Sequence, residues 1–412
     1  MRRQNDFVEK IVMKQITALT FIMAFTGMVA AQQPADYLMK ARALIDNGKP
    51  DQAVRVLTDA IAASGDSRFY VERAEAKLAQ RSYSDAISDL NEANRIAPSS
   101  GEFSLSRIYA FKGDAATSLY HLELSMNSSF KRAEKEIMLD PAFSMIQNRP
   151  EWRQFWKKEW YSETEKNVSE IEYYASAGKI NEAKSVLADL RKNFQNSDDV
   201  IYAGAVINIS EGKFDEAVGS LSGLITAAPS NEKYLRMMAK AQTQAGNPAG
   251  ASTTYTQLFN DGTADAGMLL LRADCYRKTG ETDKALKDVN KYLEMYPENK
   301  TALSLAGRVE AVSGDNLKAL DYFSRNLKLH PNDPECYIDR ANSYFISKSW
   351  DWAINDYSMS LDLSPTNSDA WLNKGIALLG SGRVEDACHD FKKALSLGNK
   401  RASEYVSNNC IK

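Results

Sequence analysis

Between Leu269 and Leu397, residues of one kind return every 34 positions without slippage, and this period limits what the 412-residue chain can fold into more than any other feature. Ala285, Ala319, Ala353 and Ala387 form one column. Gly280, Gly314 and Gly382 form another, five places earlier, with Lys348 in the remaining slot. A third column holds Ala273, Gly307, Ala341 and Gly375, a fourth Val289, Phe323, Tyr357 and Phe391, and a fifth Pro297, Pro331 and Pro365. A fixed period of this length marks a stacked array of small units, none of which can bury its apolar face alone. Small residues let neighbouring helices approach closely. The glycines supply left-handed backbone at the end of a first helix, and the prolines stop a second one.

These columns resemble the tetratricopeptide repeat, a pair of antiparallel helices per unit. The resemblance implies an all-α fold, a right-handed superhelical solenoid of helix-turn-helix units with a C-terminal capping helix. The chain then divides into a signal peptide (1–31), a block of about three repeats (32–127), an aromatic-rich helical insert (128–161), a block of about seven repeats (162–398) and the cap (399–412). In the first block Ala41, Gly48 and Ala53 fill the columns of one unit. Ala74, Ala86 and Pro98 fill those of the next, with Arg81 where Gly is expected, and Ser106, Gly113 and Ser118 those of a third. In the second block Gly178, Gly212 and Gly246 lead into Gly280, while Ala183, Ala217 and Ala251 lead into Ala285. The cap is expected to turn Lys400, Ser403, Glu404 and Ser407 outward, since a terminal repeat needs a polar cover.

The insert carries Trp152, Phe155, Trp156 and Trp160, spaced close to four apart, as if along one face of a helix. Two readings stay open. The cluster is either a plug packing one block of repeats against the other or an aromatic platform for a ligand.

Lys10 and Lys14 precede an uncharged run from Gln15 to Gln33 with an apolar centre, and Val29-Ala30-Ala31 offers the small side chains of a cleavage site before Gln32. This is the layout of an export signal, with Met13 as a natural start; an uncleaved membrane anchor is the alternative. The expected location is periplasmic or associated with the cell envelope, with membrane contact only through partners or an uncleaved signal. The formal charge is −3, and without the first 31 residues it is −5. A chain with no basic excess gives no reason to expect nucleic-acid binding.

Chemistry is sparse. His121, His330 and His389 are far apart and read as surface residues, and no phosphate-binding glycine loop or nucleophile motif occurs. Acidic groups such as Asp351, with Asn355 and Asp356 beyond it, read as solvated helix faces. No catalytic residue, metal site or cofactor is expected. Cys388 and Cys410 lie eleven residues to either side of Asn399, so helices turning there would bring their sulfurs level. They are either a disulfide stapling the cap or two buried thiols, and Cys275 and Cys336 are expected to stay free.

In tetratricopeptide proteins the first helices line the concave face. The resemblance thereby places Lys233, Arg236 and Lys240 on one stripe, continued by Arg277, Lys278 and Arg308 and interrupted by Asp274. This stripe suggests a protein or peptide partner of acidic character, or an anionic polymer. The Lys and Asn pair with which some members clamp chaperone C-termini is missing, because Asn342 is accompanied by Ile338. The expected function is an exported scaffold for protein–protein interaction in an envelope-associated complex. The alternative is a ligand- or glycan-binding helical protein using the Trp-rich insert.

Overall fold

A computed structural model describes residues 33–195 and 197–410, so the signal reading of residues 1–31 lies outside the described residues. Every regular element among the described residues is a helix. The chain forms two compact units, residues 1–153 and 154–412.

In the first unit α1 (Pro34–Asp46) packs against α2 (Pro50–Ala63), α3 (Ser67–Ala79) against α4 (Tyr83–Ile96), and α5 (Glu102–Phe111) against α6 (Ala115–Met126). A short α7 (Glu134–Leu139) and a 3-10 turn (Pro141–Met145) follow, and α8 (Pro150–Phe155) spans the division between the units. The second unit continues in antiparallel pairs. These are α9 (Glu163–Ser176) with α10 (Ile180–Asn193), α11 (Asp198–Ser210) with α12 (Phe214–Ala227), and α13 (Glu232–Gln244) with α14 (Pro248–Asn260). They go on as α15 (Gly267–Thr279) with α16 (Thr282–Met295), α17 (Lys300–Ser313) with α18 (Asn316–Leu329), α19 (Pro334–Ile346) with α20 (Trp350–Leu363), and α21 (Ser368–Gly380) with α22 (Val384–Ser396). The last helix is α23 (Ala402–Asn409).

Each sequence column occupies one structural place. Ala53, Ala86 and Ser118 in the first unit, and the seven alanines from Ala183 to Ala387 in the second, are all 0% exposed. They form the seams between paired helices. The turn column is left-handed throughout, including its two non-glycine members, Arg81 (φ 60°) and Lys348 (φ 56°). In each such turn the first helix closes through backbone bonds, as where Gly280 N–H donates to the Arg277 carbonyl and Glu281 N–H to that of Tyr276. First-helix starts repeat as well. Ser197, Asn231, Asn299, Asp333 and Asn367 each accept a backbone N–H of the helix they precede.

The aromatic stretch is not a single helical face. The helix ends at Phe155, so Trp156 and Trp160 lie beyond it and a four-residue spacing no longer aligns them. Trp152 is buried and tilts against Phe143, with centroids 5.1 Å apart. Phe155 instead stacks on Trp160 at 4.5 Å and accepts the Trp160 indole N–H on its carbonyl. Phe143 also meets Phe103 of α5, and Asp140 lies 2.8 Å from Arg107, so the turn after α7 covers the last first helix of its own unit.

At the C-terminus Tyr405 stacks on Phe391 at 4.9 Å, while Lys400, Ser403, Glu404 and Ser407 are exposed. Cys388 and Cys410 are joined as a disulfide between α22 and the end of α23, and Cys275 and Cys336 are free and buried.

In two pairs the column residues are matched in size, a glycine against a phenylalanine ring. A methyl added at Gly307 would sit 2.4 Å from the Phe323 ring, and one at Gly375 would sit 2.6 Å from Phe391. Where the facing residue is the smaller Val289, the first helix carries Ala273. Gly307→Ala should therefore destabilise the protein by about 1–3 kcal/mol through overpacking, despite alanine's better helix propensity. Adding Phe323→Val, which copies the Ala273 and Val289 pair, should recover most of the loss in urea denaturation followed by circular dichroism.

Candidate functional site

The first helices of the second unit present one continuous series of side chains, and the six cations singled out in the sequence all lie on it. Five are already engaged. Lys233 Nζ lies 3.6 Å from Glu172 and 4.1 Å from the centre of the Tyr202 ring, and the Tyr202 hydroxyl donates to the same carboxylate at 2.9 Å. Burial, reinforced by the Glu172 carboxylate, pushes the Tyr202 phenol far above its usual range and keeps it a donor. Arg236 bridges Glu232 at 2.6 Å and Asp265 at 2.9 Å. Arg277 and Lys278 share Asp274, at 2.7 and 2.8 Å. Burial alone would raise the Asp274 carboxyl, yet its bonds to Lys278 and Arg277 hold it below the ordinary value. Arg308 reaches forward one repeat to Asp339 at 2.7 Å, where Ser304 also donates.

The expected cationic stripe is thus a series of local pairs whose charge is largely cancelled. The sequence suggested a free field because the matching acids lie in other helices or on the next turn. Lys240 differs from the other five. It is exposed and forms no ion pair or hydrogen bond among the described residues.

The same face carries apolar residues that charge patterning overlooked. Val312 at the end of α17 is 52% exposed, and Ile346, one period later at the end of α19, is 61% exposed. Lys278 stands one period earlier, so the column passes from a cation to two apolar side chains. Solvent exposure of large apolar side chains in register, on a face that already carries a free cation, is chemistry suited to holding a polypeptide. The sequence contains this signal as a 34-residue recurrence, but nothing in it separates an exposed Val from a buried one.

A second set of charges is buried between helices. Arg73 grips Asp89, Arg272 grips Asp288 and Arg340 grips Asp356, each through Nε and Nη2 on the two carboxylate oxygens at 2.7–2.9 Å. Lys374 holds Asp390 at 3.2 Å in the same columns. Every pair is 16 residues apart, linking a first helix to its own second helix. Asp356, read from sequence as part of a solvated face, is 1% exposed. The reading of the histidines as surface residues also changes, since His330 is half-buried. His121 is half-buried, stacks on Tyr109 and bonds Glu102 at 2.6 Å, whereas His389 is exposed.

No group of three or more His, Cys, Asp or Glu side chains among the described residues could hold a metal ion. No helix among them is long and apolar enough to cross a membrane.

The architecture so far is that of a helical repeat solenoid built from paired first and second helices. Sequence models described as tetratricopeptide repeat match residues 38–101, 236–300, 276–334 and 368–399. The chain is a tetratricopeptide repeat protein. A solved tetratricopeptide repeat protein from Parabacteroides merdae aligns over 60% of this chain and 99% of its own, with TM-score 0.51 and 21% identity, and so shares the fold. DnaJ homolog subfamily C member 3 of Gallus gallus is 26% identical over 186 residues, which is 40% of this chain and 35% of that protein. DnaJ homolog subfamily C member 7 homolog of Schizosaccharomyces pombe is 38% identical over 68 residues, 16% of this chain and 14% of that one. The chain thus spans a minor part of each of these two relatives.

The buried pairs generate a direct test. Arg340→Met leaves the Asp356 carboxylate buried without its partner and should cost about 3–5 kcal/mol. Arg340→Met with Asp356→Leu, which removes both charges, should regain more than half of that in urea denaturation.

Proposed function

We propose that the protein is an exported scaffold that holds a polypeptide partner, within an envelope-associated complex, on the first-helix face of its second unit. The observation that carries this reading is the exposure of Val312 and Ile346 in one column with Lys278, and of the unpaired Lys240 further along the same series. The partner segment that fits has apolar anchors for Val312 and Ile346 and an acidic side chain for Lys240. Its acidic requirement is narrow, because the other five cations already have carboxylates. Tetratricopeptide proteins in general bind proteins or peptides, which agrees with this assignment. The export reading is supported by the Lys-flanked apolar run and the small residues before Gln32. The aromatic platform finds no such support, since Trp152 is buried and Phe155 and Trp160 are stacked on each other.

Crosslinking in cells and recovery of the protein should yield one or a few partners in stoichiometric amounts. Val312→Asp with Ile346→Asp alters exposed positions and should lower recovery at least about tenfold, a loss of roughly 1.4 kcal/mol, with the thermal melt unchanged. Lys240→Glu should lower it by a smaller factor. Partners recovered equally well by all three proteins would refute the assignment of the face. For export, fractionation should place the protein outside the cytoplasm with Gln32 as its N-terminal residue. An intact N-terminus in the cytoplasmic fraction would refute that part.

A further inference from the structure

The buried ion pairs also fill space. Arg272 Nη1 reaches Thr256 of the preceding second helix at 3.2 Å, and its guanidinium lies 4.5 Å from the Phe259 ring of that helix. Arg73 reaches Thr58 of its preceding second helix in the same way, at 3.0 Å. One long cation thereby bridges two successive second helices. In the repeat formed by α11 and α12 the two columns hold Gly204 and Ser220 instead.

The gap there stays open, as a cleft of about 540 Å³ between α10 and α12, floored by α11 and by Leu187 of α10. That size lies within the range of small-molecule sites. Leu187, Val200 and Ile207 make the floor apolar, and all three are buried. At the rim Lys184 and Lys213 both close on Glu211 and so share a single negative charge. Arg191, on α10, has no ion pair or hydrogen bond among the described residues, and its Nη2 lies 3.4 Å from where a Gly204 Cβ would stand. The cleft therefore combines an apolar floor, a net positive rim and a guanidinium above the gap.

We infer that this cleft binds a small amphipathic anion, with one carboxylate-type oxyanion on Arg191 and an apolar body on the floor formed by Leu187, Val200 and Ile207. The guanidinium presents paired donors that suit a carboxylate, and the missing side chains at Gly204 and Ser220 leave room for the body. The site is separate from the first-helix face proposed for the partner, since its walls are second helices. The neighbouring hollow between α14 and α16 has no equivalent, because Glu281 and Lys284 at its edge neutralise each other.

Isothermal titration of the full-length protein with decanoate tests the inference, with decylammonium as the opposite-charge control. Decanoate should bind saturably at one per chain, and decylammonium at least about tenfold more weakly. Gly204→Met with Ser220→Thr copies Met238 and Thr254, which occupy these columns in the next repeat, and should abolish binding by filling the cleft. Arg191→Gln should weaken it at least about tenfold, while Gly204→Ala, whose methyl meets only the end of Arg191, should leave it within about twofold. Absence of saturable binding, equal affinity for decylammonium, or binding that survives the filled cleft would overturn the assignment. Should the filled variant fail to fold, Arg191→Gln decides, because that side chain is exposed and supports no other contact; unchanged affinity there also overturns it.

Discussion

Everything in this molecule follows from how closely two helices approach at the alanine seam. A residue with one methyl allows the backbones to pack without a gap, and the same residue 34 positions later lets the next pair repeat the geometry. Ten seam positions with no exposure at all leave no freedom for a larger side chain. At Gly307 the Phe323 ring occupies the place a Cβ would take, so that pair is fixed by local volume. Phe323 and Phe391 face glycines that give up their Cβ, whereas the buried Tyr357 is accommodated beside Ala341. The seam fixes the stride, and the stride fixes which other columns come near one another.

The buried ion pairs are the first consequence of that stride. A carboxylate at 1–5% exposure is costly to desolvate, and a bidentate guanidinium offsets the cost only in a fixed orientation. Such a pair adds little net stability over a hydrophobic one, but it penalises any slip between first and second helix. Repeats that lack it fill the space by other means, with Ala306 and Tyr322 in one and Met238 and Thr254 in another. The repeat with Gly204 and Ser220 does neither. A cleft remains at that repeat, with Arg191 unpaired at its rim among the described residues.

The fold was legible in the sequence because backbone requirements are written one residue at a time. A left-handed turn asks for Gly, and the period located that turn even at Arg81 and Lys348, where the residue itself gives no hint. Side-chain partnerships were not legible, because they are written in pairs. Asp356 looks like any helix-surface acid until Arg340, 16 positions away, is known to face it. Arg308 looks free until Asp339 is placed beside it by the next repeat. The aromatic stretch failed for a different reason. Its four-residue spacing presumed a continuous helix, and the helix stops at Phe155, so the rings turn to different neighbours.

The division between seam and face explains why function has to be read from exposure here. Residues in the seam columns answer to packing and say nothing of a partner. Residues on the first-helix face answer to packing only through their neighbours, and most of its cations are spent on adjacent carboxylates that keep the face close to neutral. A neutral face has weak long-range attraction, so in the function proposed above a partner is held by the few side chains that remain unsatisfied after the repeats have paired with one another. Val312, Ile346 and Lys240 are such side chains. Recognition by a small number of exposed anchors set on a rigid, regularly spaced frame lets affinity change by single substitutions while the seams beneath stay intact.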